Sequence, residues 1–112
     1  MIPDTDLARI RRWAAERIPE HVKDQVWIEL DISDRAVTIL ECRASWNPDL
    51  IGSDPTRFPI ARLRYTKSRR EWSLYWRDRN LNFHAYELTS PNPKVADLLD
   101  EIDLDHTGIF WA

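Results

Sequence analysis

From Val26 to Ile32 the chain alternates without a break. Val26, Ile28, Leu30 and Ile32 fall on one side, and Trp27, Glu29 and Asp31 on the other. A period of two marks a strand with one buried face. Ser33-Asp34-Arg35 is turn-like, and a second strand follows from Val37 to Ala44, rich in apolar and β-branched residues. With Thr38, Leu40, Cys42 and Ala44 toward the core, Ile39, Glu41 and Arg43 point outward. The opposite register would bury two charged side chains, which is costly. A hairpin comes next, with Ala61, Leu63 and Tyr65 facing Trp76, Leu74 and Trp72 across a Lys67-Ser68-Arg69-Arg70 loop. The small Ala61 leaves room for the large Trp76. A further strand near Asn82–Glu87 is expected to return through Asp78-Arg79-Asn80-Leu81, with Phe83 on the Trp76 side.

Helical spacing frames these strands. Leu7, Ile10, Ala14 and Ile18, with Trp13 beside them, predict a helix capped by Asp4 or Thr5. It starts near Asp6, runs to about Arg17 and is ended by Pro19. Val95, Leu98, Leu99 and Ile102 predict a second helix, with Asn92 as cap and Pro93 at its first position. Asp97, Asp100, Glu101, Asp103 and Asp105 crowd that helix and its C-terminal end, where negative charge opposes the macrodipole. A neighbouring cation is expected to compensate. After Gly108, Ile109-Phe110-Trp111 forms an apolar tail expected to dock. The Trp46–Pro59 segment holds Pro48, Gly52, Pro55 and Pro59 and reads as a long connection, a kind of loop that often carries function.

The pattern predicts an α+β fold. An antiparallel sheet of four or five strands has an N-terminal and a C-terminal helix packed on one face. At 112 residues, one domain spanning 1–112 is expected.

Composition narrows the function classes. The single cysteine, Cys42, rules out an internal disulfide or a cysteine-built zinc site within one chain, and it reads as a small core hydrophobe. Pro3, Asp4 and Asp6 stand where a signal peptide would need its apolar stretch, and no apolar run is long enough to span a bilayer. The expectation is a cytoplasmic protein with no membrane partner. Two glycines are too few for a glycine-rich phosphate loop. His21, His84 and His106 show no metal-ligand spacing, so no metal and no cofactor are expected.

Charge is unevenly spread. The run from Arg57 to Arg79 holds eight basic and two acidic residues, a balance of +6 in a chain of net charge −3, so the remainder carries −9. Followed through the predicted register, the outward sheet face collects Arg43, Arg62, Arg64, Tyr75, Arg77, His84 and Tyr86, with Glu29, Asp31 and Glu41 as carboxylates nearby. Arginine forks grip phosphates, and aromatic faces stack on bases. The face therefore suits an anionic partner, nucleic acid first. A ladder of cross-strand ion pairs is the plainer alternative, each pair worth roughly 0.2–1 kcal/mol and implying no ligand. The acidic last helix offers another: the basic face could meet it within the chain, in a second copy as a homodimer, or in a protein partner.

An enzyme reading rests on a distant resemblance of Asp31 with Glu41-Cys42-Arg43 to the carboxylate pattern of metal-dependent restriction-type nucleases, in which two carboxylates hold a cation such as Mg²⁺. Arginine replaces the usual lysine there and does not deprotonate. No catalytic residue is assigned on this pattern.

Glu41–Trp46 (ECRASW), the run ARLRYTKSRREWSLYWRDRNLNFHAY and the closing EIDLDHTGIFW together resemble the bacterial domain-of-unknown-function family numbered 3024. The resemblance covers about Val26 to Trp111. It implies a compact stand-alone domain in a bacterial cytoplasm and brings no activity, ligand or site residue with it.

Overall fold

The computed structural model describes residues 2–44 and 55–111. Helix α1 (Asp4–Arg17) leads through a short 3₁₀ turn (Glu20–Val22) into strands β1 (Val26–Ile32), β2 (Ala36–Arg43), β3 (Thr56–Thr66), β4 (Glu71–Arg77) and β5 (Phe83–Ala85). Helix α2 (Val95–Leu104) closes the order. The strands form one antiparallel sheet in sequence order. The fold is α+β, as the pattern predicted. Among the described residues, no helix is long and apolar enough to cross a membrane.

Both helices pack on one sheet face. Ile10 of α1 and Val95, Leu98, Leu99 and Ile102 of α2 join Val37, Ile39, Ala61, Leu63, Tyr65, Trp72 and Leu74 in one buried cluster. The predicted hairpin register holds: Ala61 faces Trp76, Leu63 faces Leu74, and Tyr65 faces Trp72. Trp72 is fully buried, and its indole N–H donates to the Asp6 carboxylate at 2.9 Å, tying α1 to β4. Such a donor buried without a partner would cost about 1–3 kcal/mol.

Strand β2 corrects the expected register. Val37 and Ile39 face the helices, while Thr38 and Cys42 lie on the other side, so Glu41 and Arg43 fall on the helix side. Burial cost does not decide the register here, because β2 does not meet one environment along its length. Its first half lies under the helices, whereas Arg43 is exposed and its Nε sits 2.8 Å from the Glu41 carboxylate. Ile60 is an extra residue in β3, skipped as Ile39 pairs with Ala61 and Leu40 with Pro59. This bulge turns two consecutive residues, Ile60 and Ala61, into the core, and Pro59 beside it has no N–H to lose from the ladder.

The last strand is also one residue out of step with expectation. The Asp78 N–H donates to the Asn82 carbonyl (2.9 Å), and the Asp78 carboxylate accepts the Asn80 and Asn82 N–H groups at 2.8 and 3.0 Å. Leu81 takes a left-handed φ of 67°. The longer turn places His84 opposite Trp76 and Phe83 opposite Arg77.

Helix α1 begins at Asp4, without a side-chain cap. Helix α2 begins two residues later than predicted because Asn92 is bridged in both directions to the Trp72 backbone (2.8 and 2.9 Å). The expected compensating cation is Arg17, 3.2 Å from Asp103. The tail docks: Phe110 is buried against Tyr86, and the Asp105 carboxylate accepts the Phe110 and Trp111 N–H groups, each at 3.0 Å.

Candidate functional site: the uncovered sheet face

The strand residues that point away from the helices form the candidate surface. Register places Arg62 beside Tyr75, Arg64 beside Ser73, and Arg77 beside Phe83. Alternation puts Arg62, Arg64, Tyr75, Arg77 and Phe83 on that one side. Trp27, Glu29 and Asp31 share it across β2.

Four of the sequence-predicted residues belong elsewhere. Arg43 and its partner Glu41 lie on the helix side of the sheet. His84 stacks on Trp76, with ring centroids 4.8 Å apart, and Tyr86 is buried against Phe110 at 5.0 Å. The one-residue shift at the β4–β5 turn moved both rings. The same shift brings in Phe83, which the sequence pattern places on the core side. Its signal was present in the Asp78-Arg79-Asn80-Leu81-Asn82 run, where three side chains suited to turns leave the loop length open.

Each arginine has a distinct setting. The Arg62 Nε donates to Thr38 Oγ1 at 3.0 Å, and its guanidinium carbon lies 4.1 Å from the centre of the Phe83 ring. Arg77 donates to the backbone carbonyls of Pro59 and Asp78. Arg64 sits between the small residues Ala36 and Ser73 in register and is exposed. Among the described residues, none of the three forms an ion pair. Ion pairing on this face is found further along the sheet, where Arg57 Nε lies 3.1 Å from Glu29. The Glu29 carboxyl is held below its usual range, first by the Trp27 indole N–H at 2.8 Å and then by Arg57.

Cys42 lies between Trp27 and Arg57 in the register and is fully buried. Burial, reinforced by the neighbouring Glu29 charge, pushes its thiol up to about 11. Asp31 and Glu41 point to opposite sides of the sheet, so the carboxylate pair of the nuclease pattern does not converge on one cation. Trp46 and most of its loop lie outside the described residues.

Comparison with known proteins adds one match. The family model described as Domain of unknown function (DUF3024) matches residues 2–112. The chain belongs to the DUF3024 family. No curated protein and no solved structure matches it. The DUF3024 match spans both helices and all five strands, so the uncovered face is part of the family domain.

Proposed function

We propose that this chain is a binding module whose uncovered sheet face takes an anionic partner, with single-stranded nucleic acid as the preferred class. One observation carries the reading: Arg62, Arg64 and Arg77 share a face with Glu29 and Asp31, yet no carboxylate ion-pairs with any of the three among the described residues. A ladder of ion pairs would have neutralised them. Instead, Arg62 and Arg77 are oriented by a hydroxyl, a ring and carbonyls, which fix a guanidinium without cancelling its charge. A guanidinium plane laid over an aromatic ring is a surface on which a base can stack, and Tyr75 and Phe83 supply ring faces between the charges. The chain's net charge of −3 repels a polyanion elsewhere and favours contact through this face.

The test is binding of labelled single-stranded and duplex oligonucleotides at near-physiological salt to the wild type and to an Arg62→Ala/Arg64→Ala/Arg77→Ala variant. The reading expects the single strand to bind the wild type and to lose most of that affinity in the variant. No binding by the wild type, or equal binding by both proteins, would overturn it.

A further inference from the structure

A cleft of about 500 Å³ opens at one end of the sheet, between the β1–β2 and β3–β4 turns, lined by Arg35, Arg64, Tyr65, Thr66, Lys67 and Ser68. Three cations line it: Arg35 from the first turn, Arg64 from the end of β3 and Lys67 from the second turn. Among the described residues, Arg35, Arg64 and Lys67 make no ion pair and no side-chain hydrogen bond. Like charges gathered around one recess repel each other unless an anion enters.

The frame holding them is closed by backbone bonds. The Tyr65 N–H donates to the Arg35 carbonyl at 2.7 Å, pinning the first turn to the end of β3. The first turn is tied by the Ser33 N–H to the Ala36 carbonyl at 2.8 Å. The second is tied by the Arg69 and Arg70 N–H groups to the Thr66 and Lys67 carbonyls, each at 3.3 Å, with Arg70 at a left-handed φ of 52°. Ala36 opposite Arg64 is too small to cover it.

We infer that this cleft binds a phosphomonoester-type dianion through Arg35, Arg64 and Lys67, with the Ser68 hydroxyl as a further donor. Two arginine forks and one ammonium match the charge and the oxygens of a terminal phosphate better than those of a bridging phosphodiester, which carries one negative charge. The inference does not rest on the sheet-face reading. Arg64 is shared, whereas Arg35, Lys67 and Ser68 belong to the cleft alone.

The test has two arms. In the first, inorganic phosphate is titrated into ¹⁵N-labelled protein at constant ionic strength, with the wild type compared to Arg35→Gln and Lys67→Gln. Both substituted side chains are exposed, so the fold is expected to persist. Saturable shifts centred on Arg35, Lys67 and Ser68, weakened about tenfold or more in each variant, are expected. Shifts that grow without saturating, or that survive unchanged in both variants, would overturn the inference. In the second, one single strand is compared with and without a 5′-phosphate. A preference for the phosphorylated end that vanishes in Lys67→Gln makes the ligand a strand terminus. Equal affinities beside saturable inorganic phosphate make it a free phosphate compound. Phosphate binding without oligonucleotide binding of either kind supports the cleft and removes the sheet-face reading.

Discussion

Arg62 lies over the Phe83 ring, its guanidinium carbon 4.1 Å from the ring centre, on the sheet face that neither described helix covers. The ring supports the charge without neutralising it. A cation–ring contact of this kind contributes about 0.5–1 kcal/mol at a partly exposed site. Phe83→Ala is therefore expected to lower stability by about 1 kcal/mol in urea unfolding. If the face binds single strands, the same substitution should also weaken oligonucleotide affinity severalfold, by releasing Arg62. Unchanged affinity would show that the orientation of Arg62 is irrelevant to binding.

The bond from Trp72 to Asp6 gives a second expectation. Asp6→Ala leaves a fully buried indole N–H without its acceptor and should destabilise the fold by about 1–3 kcal/mol. Asp6→Asn keeps an acceptor oxygen and should recover part of that loss. Equal destabilisation by the two would shift the cause to charge at the start of α1 rather than to the bond.

The β4–β5 turn should respond to acid. His84 Nε2 lies 2.8 Å from the Asp78 carboxylate, and that contact, with the Asn82 and Asn80 N–H groups, holds Asp78 below its usual range. A carboxyl lowered in the folded state stabilises the fold above its unfolded pKa, and that stability is lost as pH falls through the folded value. Stability should decline as pH drops below about 4, and the decline should be smaller in Asp78→Asn. A chemical-shift titration that found Asp78 at or above the ordinary carboxylate value would contradict this.

Cys42 is expected to be inert. A thiol pushed up to about 11 carries almost no thiolate at neutral pH, and the side chain is fully buried. Labelling by an alkylating reagent should be slow in the native protein and rapid in urea. Fast native labelling would mean that the fold opens readily around Cys42.

Much of this arrangement was legible in the sequence. Strict alternation from Val26 to Ile32 and from Ala61 to Tyr65 fixed which side of β1 and β3 meets the helices, because one face of each is apolar throughout. In β2 the signal failed. Val37 and Ile39 compete with Leu40 and Cys42 for the core, and the Ile60 bulge that decides how β3 meets them leaves no mark in β2 itself. At β5 parity depends on a single turn residue. The left-handed Leu81 lengthened the loop, exchanging Phe83 for His84 and Tyr86 on the candidate face. The cleft between the two hairpin turns depends on a contact between segments thirty residues apart, which local periodicity does not encode.

On the proposed reading, the arginines of the uncovered face meet a single strand directly. Arginine Nε resonances of ¹⁵N-labelled protein, followed during titration with a short single-stranded oligonucleotide, test it without any substitution. Saturable shifts are expected at Arg62, Arg64 and Arg77, with small changes at Arg9, Arg11 and Arg12 on the exposed side of α1. Shifts confined to the α1 arginines, or no shift at any arginine, would contradict it.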